Sequence, residues 1–270
     1  IVPVNFHPAE IAKITVIIMM AYMIGKMGRK VKTLKSLLIL GLPGAGLALA
    51  AYVLTDNLST AMIILGITVG MVFVAHPDTR PFIIIGIVGI VLIVIGVLFL
   101  VATTKDSNSF RVMRVLVWLQ PEKYSDEGGY QTLQALYAIG SGGFFGRGLG
   151  NSIQKLGSVP EAQNDMIFSI MCEELGVFGG IFVLILFGYL LYRLFFIAQN
   201  APDLFGSLIV TGIFIHIALQ VILNIAVVLN LMPNTGVTLP FISYGGTSIV
   251  FLMSEMAIAL SVARQIKFQE

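Results

Sequence analysis

Long apolar runs separated by short polar connections dominate the chain. Seven of these runs are long enough to cross the hydrocarbon core of a bilayer, which takes about 20 residues of helix. They cover approximately residues 9–25, 34–54, 58–75, 81–101, 166–192, 205–230 and 247–264. The runs show no alternation of polar and apolar positions of the kind that barrel strands require. Because lipid offers no hydrogen-bond partner to backbone groups, the pattern predicts transmembrane helices.

Composition leads to the same class of protein. Hydrophobic residues make up 57% of the chain and charged residues 11%, which lies outside the range of soluble domains. The sequence therefore predicts an all-α integral membrane protein, a polytopic helical bundle. No linker or internal repeat divides it, so residues 1–270 are interpreted as a single membrane domain. A net charge of +2 gives no reason to expect a nucleic-acid partner.

The basic residues predict how the helices are oriented. Short cytoplasmic connections are enriched in lysine and arginine. The connection between the first and second runs is rich in both, and alternation of the helices places four further basic residues on the same side. The two groups are Lys26, Arg29, Lys30, Lys32 and Lys35, and then Arg80, Arg193, Arg264 and Lys267. The long segment of about residues 103–165 is therefore expected to be an extracytoplasmic loop.

This loop is the longest polar interruption in the chain. Six of the sixteen basic residues and six of the fourteen acidic residues lie between Lys105 and Asp165. Two apolar stretches inside it, residues 115–119 and 132–139, are too short to span a bilayer, and they predict interfacial or re-entrant helices. Any chemistry is expected in this loop, on the outer face of the membrane.

Two sets of polar residues lie within the apolar runs. Glu10 and Lys13 are three residues apart and would share a helix face as an ion pair, with either a structural or a functional role. His216, Gln220 and Asn224 recur every four residues, so they must face other helices or water. Hydrogen bonding between helices is the simpler explanation of this stripe. No metal site is predicted, because the histidine has no partners at zinc-ligand spacing.

A second polar interruption runs from Met232 to Ser248, with the sequence MPNTGVTLPFISYGGTS. Non-helical backbone at membrane depth is tolerated where protein or a water-filled cavity covers it, so the segment is expected to dip into a cavity. Gly245 and Gly246 would place backbone N–H groups at the start of the last helix, where an anion can bind. A simple turn before that helix explains the same residues.

Three motifs carry a resemblance to a known family. They are HPAEIAK near the start, the run from GGYQTLQALYAIGSGGFFGRGLG to PEAQNDMIFSIMCEELGVFGG, and PNTGVTLPFISYGGTS. Together they resemble the SEDS family (shape, elongation, division and sporulation) of bacterial peptidoglycan polymerases, from about residue 7 to residue 264. The SIQK and PEAQND details are most similar to the cell-division, FtsW-like branch or its sporulation relative. The resemblance implies a fold of about ten helices, of which this chain supplies the last seven.

The resemblance implies an inverting glycosyltransferase that polymerises lipid II into glycan strands at the outer face of the bacterial cytoplasmic membrane, during cell division. The proposed catalytic residue of the family corresponds to Asp165. A sugar hydroxyl is a poor nucleophile, and a carboxylate within hydrogen-bond reach can take its proton as it attacks. The local sequence allows another interpretation, because an Asn-Asp pair before an apolar helix is typical of a helix N-cap.

The leaving diphosphate needs countercharge, which arginine and lysine supply. Arg111 and Arg114 would share a face if their segment is helical, although contact with lipid headgroups would explain them equally. Glu161 would tune Asp165 or be solvated. The full set of substrate-binding candidates is Lys13, Arg111, Arg114, Arg147, Lys155, Glu161, Ser243 and Gly245.

By resemblance, the expected partners are lipid II, membrane lipid, a class B penicillin-binding protein, which is a transpeptidase, and other membrane proteins of the division complex. No cofactor is evident, but a divalent cation that bridges Asp165 to the diphosphate would leave no motif. Two alternatives belong to other classes. A flippase or transporter for the lipid-linked precursor would use the polar residues of the helices as a path. A non-catalytic scaffold of the division complex would need none of this chemistry.

Overall fold

The computed structural model describes residues 8–103, 110–156, 159–160 and 162–267. Seven of its helices are long and apolar enough to cross a membrane, which confirms the predicted number of spans. The helices in chain order are α1 Pro8–Met27, α2 Leu34–Thr55, α3 Leu58–Ala75, α4 Arg80–Thr103, α5 Phe110–Leu119, α6 Gly129–Gly142, α7 Ile167–Asn200, α8 Leu204–Val228 and α9 Gly246–Ala263. All except α5 and α6 are candidate spans. The protein is therefore a multi-pass, all-helical membrane protein.

The two short helices lie in the long polar loop. Helix α5 has 10 residues and α6 has 14, so neither crosses a bilayer. They contain the stretches 115–119 and 132–139, so the prediction that these stretches are helical is confirmed. Helix α7 continues to Asn200, beyond the predicted end near residue 192. The apolar residues after Arg193 keep forming helix once the preceding turns are in place, because helix growth is cooperative.

The chain divides into two compact units, and the boundaries between them fall within α7 and α8 as well as in loops. The first unit comprises residues up to Asp78, Ile185–Ile222 and residues from Pro240 onward. Its buried residues lie on single helix faces, such as Val16, Ile17 and Met20 in α1. Small residues let its helices approach closely. A Cβ atom at Gly70 of α3 would lie 3.0 Å from the Ile215 side chain of α8.

Buried polar pairs also connect helices of the first unit. His216 of α8 and Glu255 of α9 are each 1% exposed, and the His216 Nδ1 atom lies 2.9 Å from Glu255 Oε2. This contact confirms that His216 takes part in hydrogen bonding between helices. Sequence reasoning missed Glu255, whose signal is a single acid inside an apolar run. The predicted pair of Glu10 and Lys13 is also present, with 2.8 Å between Oε2 and Nζ.

The second unit comprises Thr79–Leu184 and Leu223–Leu239. It contains α4 to α6, the first part of α7 and the end of α8. In α6, the buried residues Thr132, Ala135 and Ala138 recur every three residues, as expected for one helix face. The Trp118 indole N–H of α5 donates to the Asn230 carbonyl just after α8, over 3.1 Å. This bond ties the short helix α5 to the end of a long one.

Helix α7 is interrupted at Gly176, whose φ of 70° and ψ of −174° are not helical. A neighbouring turn satisfies the backbone groups on the C-terminal side of the break. The Val177 N–H donates to the Gly143 carbonyl over 3.0 Å, and the Phe178 N–H donates to the Phe144 carbonyl over 3.2 Å. The turn therefore replaces the intrahelical hydrogen bonds that the break removes.

Replacing Gly176 with alanine is expected to destabilise the protein. The combination of φ and ψ at Gly176 is accessible almost only to glycine, and a Cβ atom there would collide with the Phe144 carbonyl oxygen and the Gly146 nitrogen. We expect Gly176→Ala to cost about 2–3 kcal/mol, which lowers the thermal unfolding midpoint in detergent by roughly 5 °C. Gly188→Ala in the same helix is the matched control, because nothing lies within 4 Å of its Cβ position. A midpoint equal to that of the control would contradict the strained break.

Candidate active site

Asp165 lies just before α7 and is buried, with 7% of its surface exposed. The helix begins at Ile167, two residues after Asp165. The side chain of Asn224 fixes the backbone at this point. Its Nδ2 atom donates to the Asp165 carbonyl over 2.7 Å and to the Val237 carbonyl over 2.8 Å. Since Asn224 is fully buried in α8, it holds the start of α7 and the segment after α8 together.

The carboxylate of Asp165 is contacted by an amide from α6. The Gln131 Nε2 atom lies 3.5 Å from Asp165 Oδ1, a long hydrogen bond, and 3.2 Å from the Pro160 carbonyl oxygen. The Gln131 Oε1 atom accepts from Asn234 Nδ2 over 3.0 Å. Asp165 is therefore contacted by side chains of α6 and α8, and Gln131 connects it to Asn234 in the segment that follows α8.

Glu173 and Glu174 bind the turn between α6 and α7. Glu173 is fully buried, and its carboxylate accepts from the Ser152 hydroxyl over 2.5 Å and from the backbone N–H groups of Ile153 and Gln154 over 3.2 and 3.3 Å. The Ser141 hydroxyl donates to it over 3.4 Å. A buried carboxylate needs such donors to compensate for the loss of hydration.

The same pair of acids contacts two of the predicted substrate-binding cations. Arg147 Nη1 lies 3.6 Å from Glu173 Oε1, and Lys155 Nζ lies 2.7 Å from Glu174 Oε1. Backbone bonds add to this, since the Arg147 N–H donates to the Glu173 carbonyl over 3.0 Å. Both cations are thus engaged by carboxylates of α7, and their positive charge is largely balanced.

The remaining predicted site residues lie in several elements. Arg111 and Arg114 are both in α5, so their segment is helical, as the interpretation of a shared face requires. Glu161 lies outside the described residues. Lys13 is in α1 of the first unit, 3% exposed and paired with Glu10. In that unit Ser243 precedes α9, which begins at Gly246 as expected.

Gly245 occupies the N-cap position of α9. As a glycine it has no side chain that could cap the helix. Its carbonyl accepts from the Ser248 hydroxyl over 3.1 Å. This geometry agrees with a helix start at the predicted place. It is compatible with both the anion-binding and the simple-turn interpretation.

Sequence reasoning missed several polar residues that surround Asp165 or brace the loop. Their signal in the sequence is a polar side chain where an apolar or turn residue is expected. The contacts that join them at the site, however, link residues more than ten positions apart. These residues are Gln131, Ser152, Glu173, Glu174 and Asn234. Within the described part of the chain, no group of three or more His, Cys, Asp or Glu side chains is arranged to hold a metal ion.

The fold and this site define a class: a polytopic helical membrane protein with a buried aspartate and a polar network at the start of one long helix. The comparisons with known proteins narrow it further. The chain matches the FtsW, RodA and SpoVE family, described as cell cycle proteins, over residues 1–268. It belongs to this family, which confirms the resemblance to the SEDS polymerases.

Relatives in Bacillus subtilis are similar over almost the whole chain. Stage V sporulation protein E is 37% identical, covering 98% of this chain and 70% of that protein. A protein named as a probable peptidoglycan glycosyltransferase, FtsW, is 36% identical, covering 98% of this chain and 66% of that protein. The chain therefore spans about two thirds of the length of these relatives.

Solved structures are similar as well. A chain from a peptidoglycan synthase complex that coordinates polymerization and crosslinking gives a TM-score of 0.74 at 26% identity, over 99% of this chain and 72% of that chain. The rod shape determining protein RodA of Thermus thermophilus gives a TM-score of 0.61 at 26% identity, over 99% of this chain and 68% of RodA.

Proposed function

We propose that this protein is a peptidoglycan glycosyltransferase that polymerises lipid II at the outer face of the cytoplasmic membrane, with Asp165 as the general base. The observation that carries the proposal is that Asp165 is buried and held by two amide side chains. Gln131 of α6 contacts its carboxylate, and Asn224 of α8 donates to its backbone carbonyl. The names of the relatives supply the reaction class.

The chemistry follows from what each group can do. Asp165 takes the proton of an acceptor hydroxyl as that oxygen attacks the anomeric carbon of the donor sugar. The bond from this carbon to the diphosphate breaks as the new glycosidic bond forms, and the diphosphate departs with the electron pair. Attack opposite the leaving group inverts the configuration at the anomeric carbon. The proton ends on the carboxylate, which returns it to solvent before the next cycle.

The departing diphosphate requires positive charge rather than a general acid, because it is already a weak base. Arg147 and Lys155 are engaged by Glu173 and Glu174, and Lys13 is paired with Glu10. Arg111 and Arg114 of α5 are assigned to the diphosphate on the ground of the family resemblance. Arginine suits this role because its planar group of donors matches phosphate oxygens.

We assign a class B penicillin-binding protein as the partner, since polymerised strands have to be crosslinked. The structure of a related synthase complex, which coordinates the two activities, supports this choice. The large loop is assigned to the extracytoplasmic side, where both enzymes would meet the growing strand.

Purified full-length protein tests the proposed function when it is supplied with lipid II and the transpeptidase in detergent or proteoliposomes. We expect glycan strands with inverted anomeric linkages, detected by gel electrophoresis and by NMR of the digested product. If lipid II crosses the bilayer and no strands form, the protein is a flippase and not a polymerase. A protein that produces neither strands nor translocation, but stimulates its partner to crosslink glycan strands supplied separately, would be a scaffold.

A further inference from the structure

We propose that Gln131 is a positioning residue for Asp165, and that a relay starting at the backbone N–H of Gly236 fixes the direction of its amide group. The relay runs from Gly236 through the side chain of Asn234 to Gln131 and then to Asp165. It rests on the proposed function of Asp165 as a general base, and it adds to that function a device that sets the orientation of the carboxylate.

The first link fixes the amide of Asn234. The Gly236 N–H donates to Asn234 Oδ1 over 2.9 Å. A backbone N–H can only donate, so the oxygen of the Asn234 amide must face Gly236 and the NH₂ group must face away from it. The short turn that brings these groups together has Gly236 in the left-handed region, with a φ of 67°, where glycine is favoured.

The second link transfers this direction to Gln131. The NH₂ group of Asn234 lies 3.0 Å from Gln131 Oε1. Because that oxygen is occupied by a donor, the NH₂ group of Gln131 faces the other way. It lies 3.2 Å from the Pro160 carbonyl oxygen and 3.5 Å from Asp165 Oδ1, which are both acceptors.

Both ends of the relay have fixed polarity. The direction of an amide side chain is usually set by its hydrogen-bond network, since its oxygen and nitrogen are similar in size. Here a backbone donor begins the relay, and a backbone carbonyl and a carboxylate end it. Turning either amide over would place oxygen against oxygen at one contact and NH₂ against N–H at another. The relay therefore has one favourable arrangement.

The arrangement has a chemical consequence at Asp165. A hydrogen-bond donor on Oδ1 restricts rotation of the carboxylate and so orients its oxygens toward the acceptor hydroxyl. The 3.5 Å separation is long, and catalytic hydrogen bonds of this kind commonly shorten when substrate is bound.

The variant Asn234→Asp tests the relay. It keeps an oxygen for the Gly236 N–H but replaces the donor to Gln131 with a second acceptor. Gln131 would then turn its NH₂ group toward the new carboxylate and its oxygen toward Asp165. We expect kcat for lipid II polymerisation to fall about tenfold with KM unchanged within about twofold, as for the loss of one hydrogen bond to a charged group.

A second variant and a matched control make the test specific. Gln131→Met removes the amide while keeping its approximate size, and we expect a similar loss of about tenfold in kcat. The double variant should be no slower than either single variant, because both act through the same contact. Asn230→Asp introduces the same charge in the same segment and removes only a 3.4 Å bond to the Trp118 carbonyl, so its kcat should match wild type.

Wild-type kcat in Asn234→Asp, or a loss of about a hundredfold in the double variant, would overturn the relay. Asp165→Asn is assayed in parallel. If Asp165→Asn polymerises at the wild-type rate, the general-base assignment fails and the relay fails with it. If Asp165→Asn is inactive while the relay variants are fully active, the relay alone is wrong.

Discussion

Replacing Asp165 with asparagine is expected to reduce the rate of glycan-strand formation by about 10²–10⁴-fold, the usual contribution of a general base. Asparagine has nearly the same size and can still accept a hydrogen bond from Gln131, but it cannot take a proton from the acceptor hydroxyl. The backbone carbonyl of residue 165, which Asn224 binds over 2.7 Å, is unaffected. Initial rates with lipid II and the transpeptidase partner, measured on the full-length protein, give the comparison.

Asp126→Asn is the matched control, because Asp126 lies in the same polar loop and is exposed. We expect its rate to equal that of wild type. A rate for Asp165→Asn within about twofold of this control would show that Asp165 has a structural role at the start of α7, and that the base lies elsewhere.

Replacing Glu173 with alanine is expected to have the largest effect on stability. The carboxylate is fully buried and accepts from two hydroxyl groups and two backbone N–H groups. Its removal leaves the buried Ser152 hydroxyl and two part-buried backbone N–H groups without this acceptor, and it deprives Arg147 of its carboxylate partner. We expect a loss of about 3–5 kcal/mol, which would lower the thermal unfolding midpoint in detergent by roughly 5–15 °C.

Limited trypsin digestion provides a local readout of the same change. Arg147 and Lys155 lie in the turn that Glu173 and Glu174 bind, and both are cleavage sites for trypsin. Cleavage at these residues should be faster in Glu173→Ala than in Glu122→Ala, whose side chain is exposed. Equal cleavage rates and equal unfolding midpoints would show that the turn is held by other contacts.

The spans of this protein could be predicted from the sequence because their length and composition are imposed by the bilayer. The short helices α5 and α6 were also predictable, since apolar stretches too short to span still favour helix. The break at Gly176 was not, because an apolar run with a glycine also fits an unbroken helix. Its existence depends on the turn at Gly143 and Phe144, which supplies carbonyl groups from a distant part of the chain.

The candidate site was predictable only in part, and for a similar reason. The motif that contains Asp165 could be recognised, and its position before α7 followed from the polar-to-apolar transition. The partners of Arg147 and Lys155 could not be predicted, because two adjacent acids in an apolar helix do not indicate which cations they contact. The amide relay through Gln131 depends on side chains that come together only when α6 packs near the segment after α8.

The most direct test of the central claim separates binding from chemistry in Asp165→Asn. Binding of lipid II to the full-length variant is measured first, and bond formation is then followed in a single turnover by rapid quenching. The account predicts an affinity within about threefold of wild type and a bond-forming rate at least about a hundredfold lower. Weak binding combined with a wild-type rate for the substrate that does bind would contradict it, because Asp165 would then shape the site without taking the proton.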